Sequence, residues 1–283
     1  MALDRLTKAN QFSKAGLPIR VTAPWFNYLV DALNSLEEDG FGVSDGVIET
    51  KYDGQMTELP LIAPPSLVYI FFDDFDRSVA AAAPELFWTN TKVGTGTSLT
   101  IDGVGGILQM TCQATTDDST ELNYSLNECF RLVAGSKLWF EARVRCPAAD
   151  VTNLDLFIGL AGNEDITAVA DNMPANGMGF TKTDAGVGTI FFASCDNGVN
   201  IVTAASIHTL VTNTWTRLGF IFDGGATGAA RIYPYINGVA AQPISAVTYA
   251  TMTEIAPMLM VRNGDATTQQ ILDVDYVYVA QER

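Results

Sequence analysis

Apolar and polar residues alternate with a period of two along most of the chain, from Leu67 to the C-terminus. The segment KLWFEARVRC (137–146) is the clearest example, because it places an apolar set and a mostly charged set on opposite faces of one strand. The apolar set is Leu138, Phe140, Ala142, Val144 and Cys146, and the other set is Lys137, Trp139, Glu141, Arg143 and Arg145. Similar runs occur at 68–72, 106–112, 154–161, 188–194, 215–223, 231–237, 256–263 and 271–280. Clusters of Gly, Asn, Asp and Thr separate the runs, so residues 67–283 are predicted to form an all-β, two-sheet antiparallel sandwich.

A helical period occurs once, between Pro24 and Asp39. Pro24 fits the first turn of a helix, and Gly40 provides a stop. Large apolar residues in this segment step by 3, 4 and 3 positions, as in the seam of a coiled coil. The seam and its flank consist of Trp25, Phe26, Leu29, Leu33 and Leu36. A helix this short is marginal in water, so its seam is covered either by the body of the same chain or by copies of itself. The linker-like segment that follows favours copies of itself.

Two segments without a sustained period flank the helix. Residues 1–23 carry four basic residues against Asp4 alone, and they are predicted to be an extended arm that docks on another subunit. These basic residues are Arg5, Lys8, Lys14 and Arg20. A frayed, solvated terminus is the alternative. Residues 40–66 contain Pro60, Pro64 and Pro65, and are predicted to be a Pro/Gly-rich connector with one short strand at 47–52.

Charge and composition exclude several classes of partner. The net charge of −16, from 16 basic and 32 acidic residues, repels phosphate and argues against nucleic acid. No stretch approaches the ~20 apolar residues of a membrane helix, so no membrane partner is expected. The N-terminal residues lack the apolar region of a signal peptide, which predicts synthesis in a cytoplasm. The cysteines, which lack zinc-ligand spacing, are Cys112, Cys129, Cys146 and Cys195.

Several segments resemble known families. Residues 215–223 (WTRLGFIFD) and 231–238 (RIYPYING) resemble concanavalin A-like, laminin-G-type jelly rolls, in which a tryptophan opens one strand and an Asn-Gly hairpin ends the next. FFDDF (71–75), LWFEARV (138–144) and DVDYVYVAQER (273–283) resemble the sandwich domains of tailed-bacteriophage virion proteins. Residues 18–37 are similar to the anchoring segments of such proteins. The resemblance implies a jelly-roll fold for residues 67–283 and a trimeric head decoration, head fibre or tail-associated protein.

Patterns that would indicate catalysis are absent. The β-glucanases that share the jelly roll carry an E-x-D-x-x-E run, which presents an acid and a nucleophile about 5 Å apart on one strand face. In this chain Glu141 is the single acid of its strand, and Asp273 and Asp275 lack a third acid. His208 is the single histidine, has no G-x-S-x-G motif to serve and is interpreted as a loop residue. The chain is therefore predicted not to be an enzyme.

Two binding sites are candidates. Asp73, Asp74 and Asp76 are either ligands of a calcium ion, which the laminin-G resemblance allows, or solvated acids in a turn. A second acidic group consists of Asp117, Asp118 and Glu121. Trp139 lies on the polar face of its strand, where it would stack on a sugar ring or cover a neighbouring subunit or the edge of the second sheet. Apart from calcium, no cofactor is expected.

Together these patterns predict a structural virion protein of a tailed phage, made in the host cytoplasm and located on the virion surface. The arm would dock on the major capsid protein or another virion subunit, and the helices would form a homotrimer. The sandwich would project outward and decorate or stabilise the capsid. The alternative is a carbohydrate-binding tail fibre or adhesin that contacts a host-surface glycan. An enzyme acting on polysaccharide is a third hypothesis, but it lacks a candidate acid pair.

Overall fold

The structure is a computed structural model that describes part of the chain. The described residues are 42–44, 47–49, 68–75, 88–101, 106–124, 130–147, 151–162, 166, 172–183, 188–198, 200–225, 230–250, 252, 254–265 and 268–282. The chain divides into two compact units, residues 1–53 with 57–63 and residues 54–56 with 64–283. The predicted arm (1–23), the predicted helix (24–39) and most of the predicted connector (40–66) lie outside the described residues.

The described residues of the first unit form one short hairpin. Strand β1 (Gly42–Ser44) pairs antiparallel with β2 (Val47–Glu49), and Val43 lies opposite Ile48. The short strand predicted at 47–52 is present over 47–49. Its partner was not predicted, because three residues that include a glycine carry no period.

The second unit is built from antiparallel strands. They are β3 (Val68–Asp73), β4 (Thr89–Val93), β5 (Thr97–Ile101), β6 (Ile107–Cys112), β7 (Ser119–Asn123), β8 (Lys137–Arg145), β9 (Leu154–Ala161), β10 (Gly177–Lys182), β11 (Thr189–Asp196), β12 (Asn200–Thr209), β13 (Thr216–Asp223), β14 (Ala230–Ile236), β15 (Val239–Ala240), β16 (Ile244–Val247), β17 (Ala256–Asn263) and β18 (Gln270–Glu282). No α-helix is present among the residues that the structure describes.

These strands form two sheets. The seven-stranded sheet has the order β12-β11-β10-β9-β17-β7-β4. The nine-stranded sheet has the order β15-β14-β13-β8-β18-β6-β5, with β16 paired to β14 and β3 paired to β18. Strands distant in sequence are neighbours in space: β8 pairs with β13 and β18, and β9 pairs with β10 and β17. The fold is the two-sheet antiparallel jelly-roll sandwich that the alternation and the resemblance predict.

The main core lies between the two sheets and is rich in phenylalanine. Phe140 and Phe220 of the nine-stranded sheet stack with their ring centroids 5.1 Å apart. Phe192 of the seven-stranded sheet meets Phe220 edge-on, also at 5.1 Å, and Phe180 packs edge-on against Phe192. All four side chains are fully buried, and each ring removes roughly 150–250 Å² from water. The apolar face predicted for residues 138–146 is therefore the core face.

The Asn-Gly turn predicted from the sequence connects β14 to β15. Asn237 has a φ of 53° and Gly238 a φ of 81°, the left-handed conformation that both positions of this tight turn require. The Asn237 side-chain oxygen also accepts a hydrogen bond from the Arg217 backbone N–H at 2.9 Å. The turn is therefore held to the neighbouring strand β13, and it sets the register of the hairpin.

The prediction that His208 lies in a loop is wrong. His208 is in strand β12, opposite Ile190 of β11, and its side chain is half-buried. A register shift between Ile190 and Phe192 and a left-handed φ of 54° at Ser206 interrupt the alternation of this strand. The period of two therefore fails in the sequence although the segment is extended. Burial lowers the pKa of the His208 imidazole below its usual value.

Candidate functional site

The outer face of the seven-stranded sheet is not open to solvent. Its two central strands, β9 and β17, are buried at every position, so residues on both of their faces are covered. A second apolar cluster lies on the outer face, separate from the core between the sheets. It consists of Phe157, Ala161, Ile166, Met173, Ala193, Cys195, Met258 and Met260. Ile166 and Met173 lie outside the strands and pack onto a face that alternation alone would leave wet.

Hydrogen bonds connect three residues outside the strands, Gly162, Ile166 and Asn172, to the seven-stranded sheet. The Ile166 backbone N–H donates to Oε2 of Glu121 at 2.8 Å, and Nδ2 of Asn123 donates to the Gly162 carbonyl at 3.3 Å. Nδ2 of Asn172 donates to the Lys182 carbonyl at 2.8 Å. Glu121 is only 1% exposed, so its carboxylate is a buried acceptor and not a solvated acid.

The other acid on this outer face also has a structural partner. Oδ2 of Asp155 accepts hydrogen bonds from Arg262 at 2.8 Å from Nε and 2.7 Å from Nη2, and both side chains are at least nine-tenths buried. Glu121 and Asp155 therefore each accept hydrogen bonds from a group of the protein itself.

The acids on the outer face of the nine-stranded sheet are also paired. The Tyr276 hydroxyl donates a short hydrogen bond to Oε1 of Glu141. Arg143 pairs with Asp275 at 2.6 Å, and Arg145 pairs with Asp273 at 2.6 Å. Glu141, Asp273 and Asp275 each therefore have a partner side chain on the same face. Burial, and then the hydrogen bond to Glu141, raise the pKa of Tyr276 well above its usual range.

Trp139 was predicted to lie on the polar face of its strand, where it would stack on a sugar ring or cover a neighbouring subunit or the edge of the second sheet. The burial of Trp139 contradicts the stacking role. Its side chain is 2% exposed, although it lies on the outer face of β8 as the alternation indicates. Its cross-strand neighbours are Ile221 on β13 and Ala280 on β18, and both are buried. Alternation assigns Trp139 to a face, but it does not tell whether that face is wet. Trp139 is therefore unavailable to stack on a sugar ring.

Trp215 is the tryptophan near this face that keeps some exposure. Its ring lies against two guanidinium groups, Arg143 at 4.8 Å and Arg145 at 4.6 Å from the ring centroid. Cation–π contacts of this kind orient both arginines toward the end of the sheet. From the sequence, Trp215 was identified only as the tryptophan that opens a strand of the jelly roll, and its exposure was not predicted.

The predicted calcium ligands have other partners. Oδ1 of Asp73 accepts the Phe75 backbone N–H at 2.8 Å, and Oδ2 accepts Nε1–H of Trp88 at 2.8 Å. Asp74 is half-buried, and Asp76 lies outside the described residues. Within the described ranges, no group of three or more His, Cys, Asp or Glu side chains is arranged to hold a metal ion. Asp73 therefore accepts hydrogen bonds from the backbone of its turn and from the Trp88 side chain. Acids in short acidic runs often accept backbone hydrogen bonds in turns.

The second acidic group is divided among structural roles as well. Asp118 is 3% exposed and accepts the Thr95 backbone N–H at 2.8 Å and the Gln113 backbone N–H at 3.2 Å. A Cβ at Gly94 would lie 2.3 Å from Oδ2 of Asp118, and Gly94 has a φ of +80°. The glycine is thus required where the turn between β4 and β5 meets this carboxylate. Asp117 is exposed, and Glu121 holds Ile166.

The described cysteines are Cys112, Cys146 and Cys195, and all three are buried and form no disulfide within the described residues. Burial raises the pKa of Cys112 to about 12 and that of Cys146 to about 12. Their thiols therefore stay protonated and behave as small apolar groups, as predicted for Cys112 and Cys146.

The part of the chain that the structure describes contains no helix with the length and hydrophobicity to cross a membrane.

One exposed apolar surface was not predicted from the sequence. Ile70 is 45% and Phe72 56% exposed, and both lie on the outer face of β3. The VYIFF run (68–72) carries the signal, because apolar residues occupy both faces of a strand predicted to have one wet face.

Neither a known protein-family profile nor a curated protein sequence matches the chain. Solved structures do match in fold. Endo-1,3-beta-glucanase from Streptomyces sioyaensis matches with a TM-score of 0.54 and 18% identity, covering 78% of this chain and 98% of that chain. The carbohydrate recognition domain of Emp47p matches with a TM-score of 0.52 and 9% identity, over 75% and 94%. A Bacteroides ovatus GH16 mixed-linkage glucan protein, solved with a G4G4G3G product, matches with a TM-score of 0.51 and 12% identity, over 74% and 99%. At these identities the matches show that the second unit has a concanavalin-like jelly-roll sandwich fold.

Proposed function

We propose that this chain is a non-catalytic structural protein of a tailed-phage virion. It attaches through residues 1–39 and displays the sandwich outward, where it decorates or stabilises the capsid. The resemblance of residues 18–37 and 67–283 to virion proteins supports this role. The uneven charge supports it too, because a basic arm on an acidic body favours docking at one end.

The observation that carries the non-catalytic part is the filled outer face of the seven-stranded sheet. Phe157, Met258 and Met260 are fully buried there, so a polysaccharide chain has no access to these positions. The two acids of the face, Glu121 and Asp155, hold a backbone N–H and a guanidinium. Each of these two buried acids therefore stabilises the fold through a contact within the protein.

The mechanism of attachment is mechanical and depends on multiplicity. Helices 24–39 associate through Phe26, Leu29, Leu33 and Leu36, so that a homotrimer carries one basic arm per subunit. Linking weak contacts in this way raises the overall avidity by about 10²–10⁴ without any new contact. The arms lie along the capsid or another virion subunit, and the acidic sandwiches remain soluble and project away from it.

The test is reassembly onto purified particles that lack the chain. The full-length protein is compared with an arm variant in which two of the arm's basic residues, Lys8 and Lys14, are changed to glutamate. A control variant changes Lys92 and Arg131, which are exposed on the sandwich, to glutamate and shifts the net charge equally. We expect the arm variant to lose incorporation and the control to keep it. Equal incorporation of both variants would contradict the role of the arm.

A second measurement addresses catalysis. The full-length protein is incubated with 1,3-β-glucan, mixed-linkage glucan and glucuronan, and the release of reducing ends and of unsaturated ends is followed. We expect no release above a heat-denatured sample. Turnover of any of these polymers would overturn the non-catalytic proposal and leave the arm experiment unaffected.

A carbohydrate-binding tail fibre or adhesin is the second candidate. It is favoured by the similarity in fold to the Emp47p carbohydrate recognition domain and by Trp215, which is half-exposed beside Arg143. A glycan array with the full-length chain tests it. Binding that disappears with Trp215→Ala and persists with Val211→Ala, a change at a 58% exposed side chain, would support this candidate. An array without bound glycans would exclude it for the sugars tested.

A further inference from the structure

The outer face of the nine-stranded sheet carries an exposed apolar patch that includes a marginal strand, β3. We define this β3–β18 patch as Ile70, Phe72, Tyr276 and Tyr278. Strand pairing places Phe72 opposite Tyr278, and the rings of Phe72 and Tyr276 lie 6.1 Å apart. Ile70 and Phe72 are 45% and 56% exposed, and both tyrosines are half-buried. Large exposed side chains that touch one another on a flat sheet face are typical of interaction surfaces.

Further apolar side chains lie elsewhere on the same face. Ile107 of β6 pairs with Ile101 of β5, and Ile271 of β18 pairs with Thr111 of β6. All three isoleucines are half-buried on the side away from the core. The aromatic side chains of the patch and the arginines of the face belong to the residue types that are enriched in protein interfaces.

This face is also balanced in charge, unlike the rest of the chain. The basic side chains on it are Lys137, Arg143, Arg145, Arg217 and Arg231. The acidic side chains on it are Glu141, Asp223, Asp273, Asp275 and Glu282. The chain as a whole carries a net charge of −16, so copies repel one another over most of their surface. A charge-balanced face is where two copies approach at the lowest electrostatic cost.

The position of β3 makes the patch accessible. Among the described strands, β3 pairs only with β18, so it forms a margin of the nine-stranded sheet. Ile70 and Phe72 therefore lie on a marginal strand of the described sheet, beside the two tyrosines of β18. Tyrosine, phenylalanine and arginine, which are enriched at interfaces, are all present here.

We propose that the β3–β18 patch binds a second copy of this chain, sandwich to sandwich. The contact is separate from the arm and the predicted helix, and it requires no virion particle. In an assembly it would link neighbouring sandwiches on their outer sheets while the remaining acidic surface faces solvent. The apolar patch supplies the attraction, and the internal ion pairs of Arg143 and Arg145 keep the face neutral.

Site-specific photo-cross-linking of the full-length protein tests the proposal. Benzoylphenylalanine replaces Phe72 in one variant and Val211, which is 58% exposed on the same unit, in the control variant. Isotopically heavy and light proteins are mixed before irradiation, so that products between two copies are distinguished from those within one copy. We expect heavy–light products from position 72 at least five-fold above those from position 211. Their second site should map to 68–73 or 270–282.

A second change makes the result specific to the patch. Adding Ile70→Ser to the position-72 variant should lower the yield of heavy–light product several-fold, whereas adding Val239→Ser, at another 58% exposed valine, should not. Equal yields from positions 72 and 211, products within one copy only, or no effect of Ile70→Ser would each overturn the proposal. A failure of the arm variant to dock on particles would leave this result unchanged, so the two proposals are judged separately.

Discussion

Replacing Glu121 by alanine is expected to loosen the residues that cover the outer face of the seven-stranded sheet. Glu121 is 1% exposed, and its Oε2 accepts the Ile166 backbone N–H at 2.8 Å. Alanine removes this acceptor and leaves the buried N–H without it. A hydrogen bond to a charged group contributes about 1.5–3 kcal/mol. For a domain of this size the loss lowers the Tm by about 3–12 °C, if the whole sandwich unfolds as one unit.

A matched variant separates the hydrogen bond from the charge. Glu121→Gln keeps a carbonyl oxygen at the same position, so it should retain most of the stability that Glu121→Ala loses. Thermal unfolding measures the global effect, and native-state hydrogen exchange of the Ile166 amide measures the local effect. We expect exchange at Ile166 in the alanine variant to accelerate by a larger factor than exchange in strand β8, which changes only with the global stability.

The reasoning fails if the two variants behave alike. Equal Tm values and equal exchange at Ile166 for Glu121→Ala and Glu121→Gln would mean that the carboxylate does not hold the covering residues. Acceleration by the same factor at Ile166 and throughout all strands would mean that Glu121 stabilises the sandwich as a whole and not its outer cover.

Three further predictions concern the interior and its charges. Asp155→Ala should lower the free energy of unfolding by about 3–5 kcal/mol, because it leaves Arg262 buried without its carboxylate; an unchanged urea midpoint would refute this. Phe220→Ala should cost about 3–5 kcal/mol in denaturant unfolding, since Phe220 contacts rings of both sheets, and a loss below about 1 kcal/mol would contradict that packing. Burial raises the pKa of Tyr278 from its usual value near 10 to about 12, so its contribution to stability is complete below about pH 10 and is lost as the pH rises through 12. Tyr278→Phe should therefore flatten the decline of the Tm in that alkaline range, and an identical decline would count against it.

The alternation of the sequence predicted the core side of the sandwich well. In β8 the positions of Phe140 and its apolar neighbours are the buried ones, and the Asn237-Gly238 turn ends β14 as expected. These features depend on neighbours in the chain, because side chains alternate along a strand and two residues suffice for a tight turn. Strand β12 was missed because a register shift and the left-handed Ser206 break the period.

The candidate site could be predicted only in part. The partners of Glu141 and Asp273 on neighbouring strands were not predictable, because strand pairing brings them together. The covering of the seven-stranded sheet was not predictable, since the hydrogen bond from Ile166 to Glu121 joins residues 45 apart along the chain. Asp73, a predicted calcium ligand, accepts a hydrogen bond from Trp88, which likewise lies 15 residues away along the chain.

By itself, the sequence determined that this chain has a β-sandwich body with one apolar face per strand. It also determined which residues share each face, because the period of two is a local property of the backbone. Only the tertiary structure decided what lies against each outer face. Trp139 is buried between Ile221 and Ala280, while Phe72 is exposed beside Tyr276. The physical reason is that burial depends on contacts between strands and loops far apart in the chain, and no local pattern encodes which of them meet.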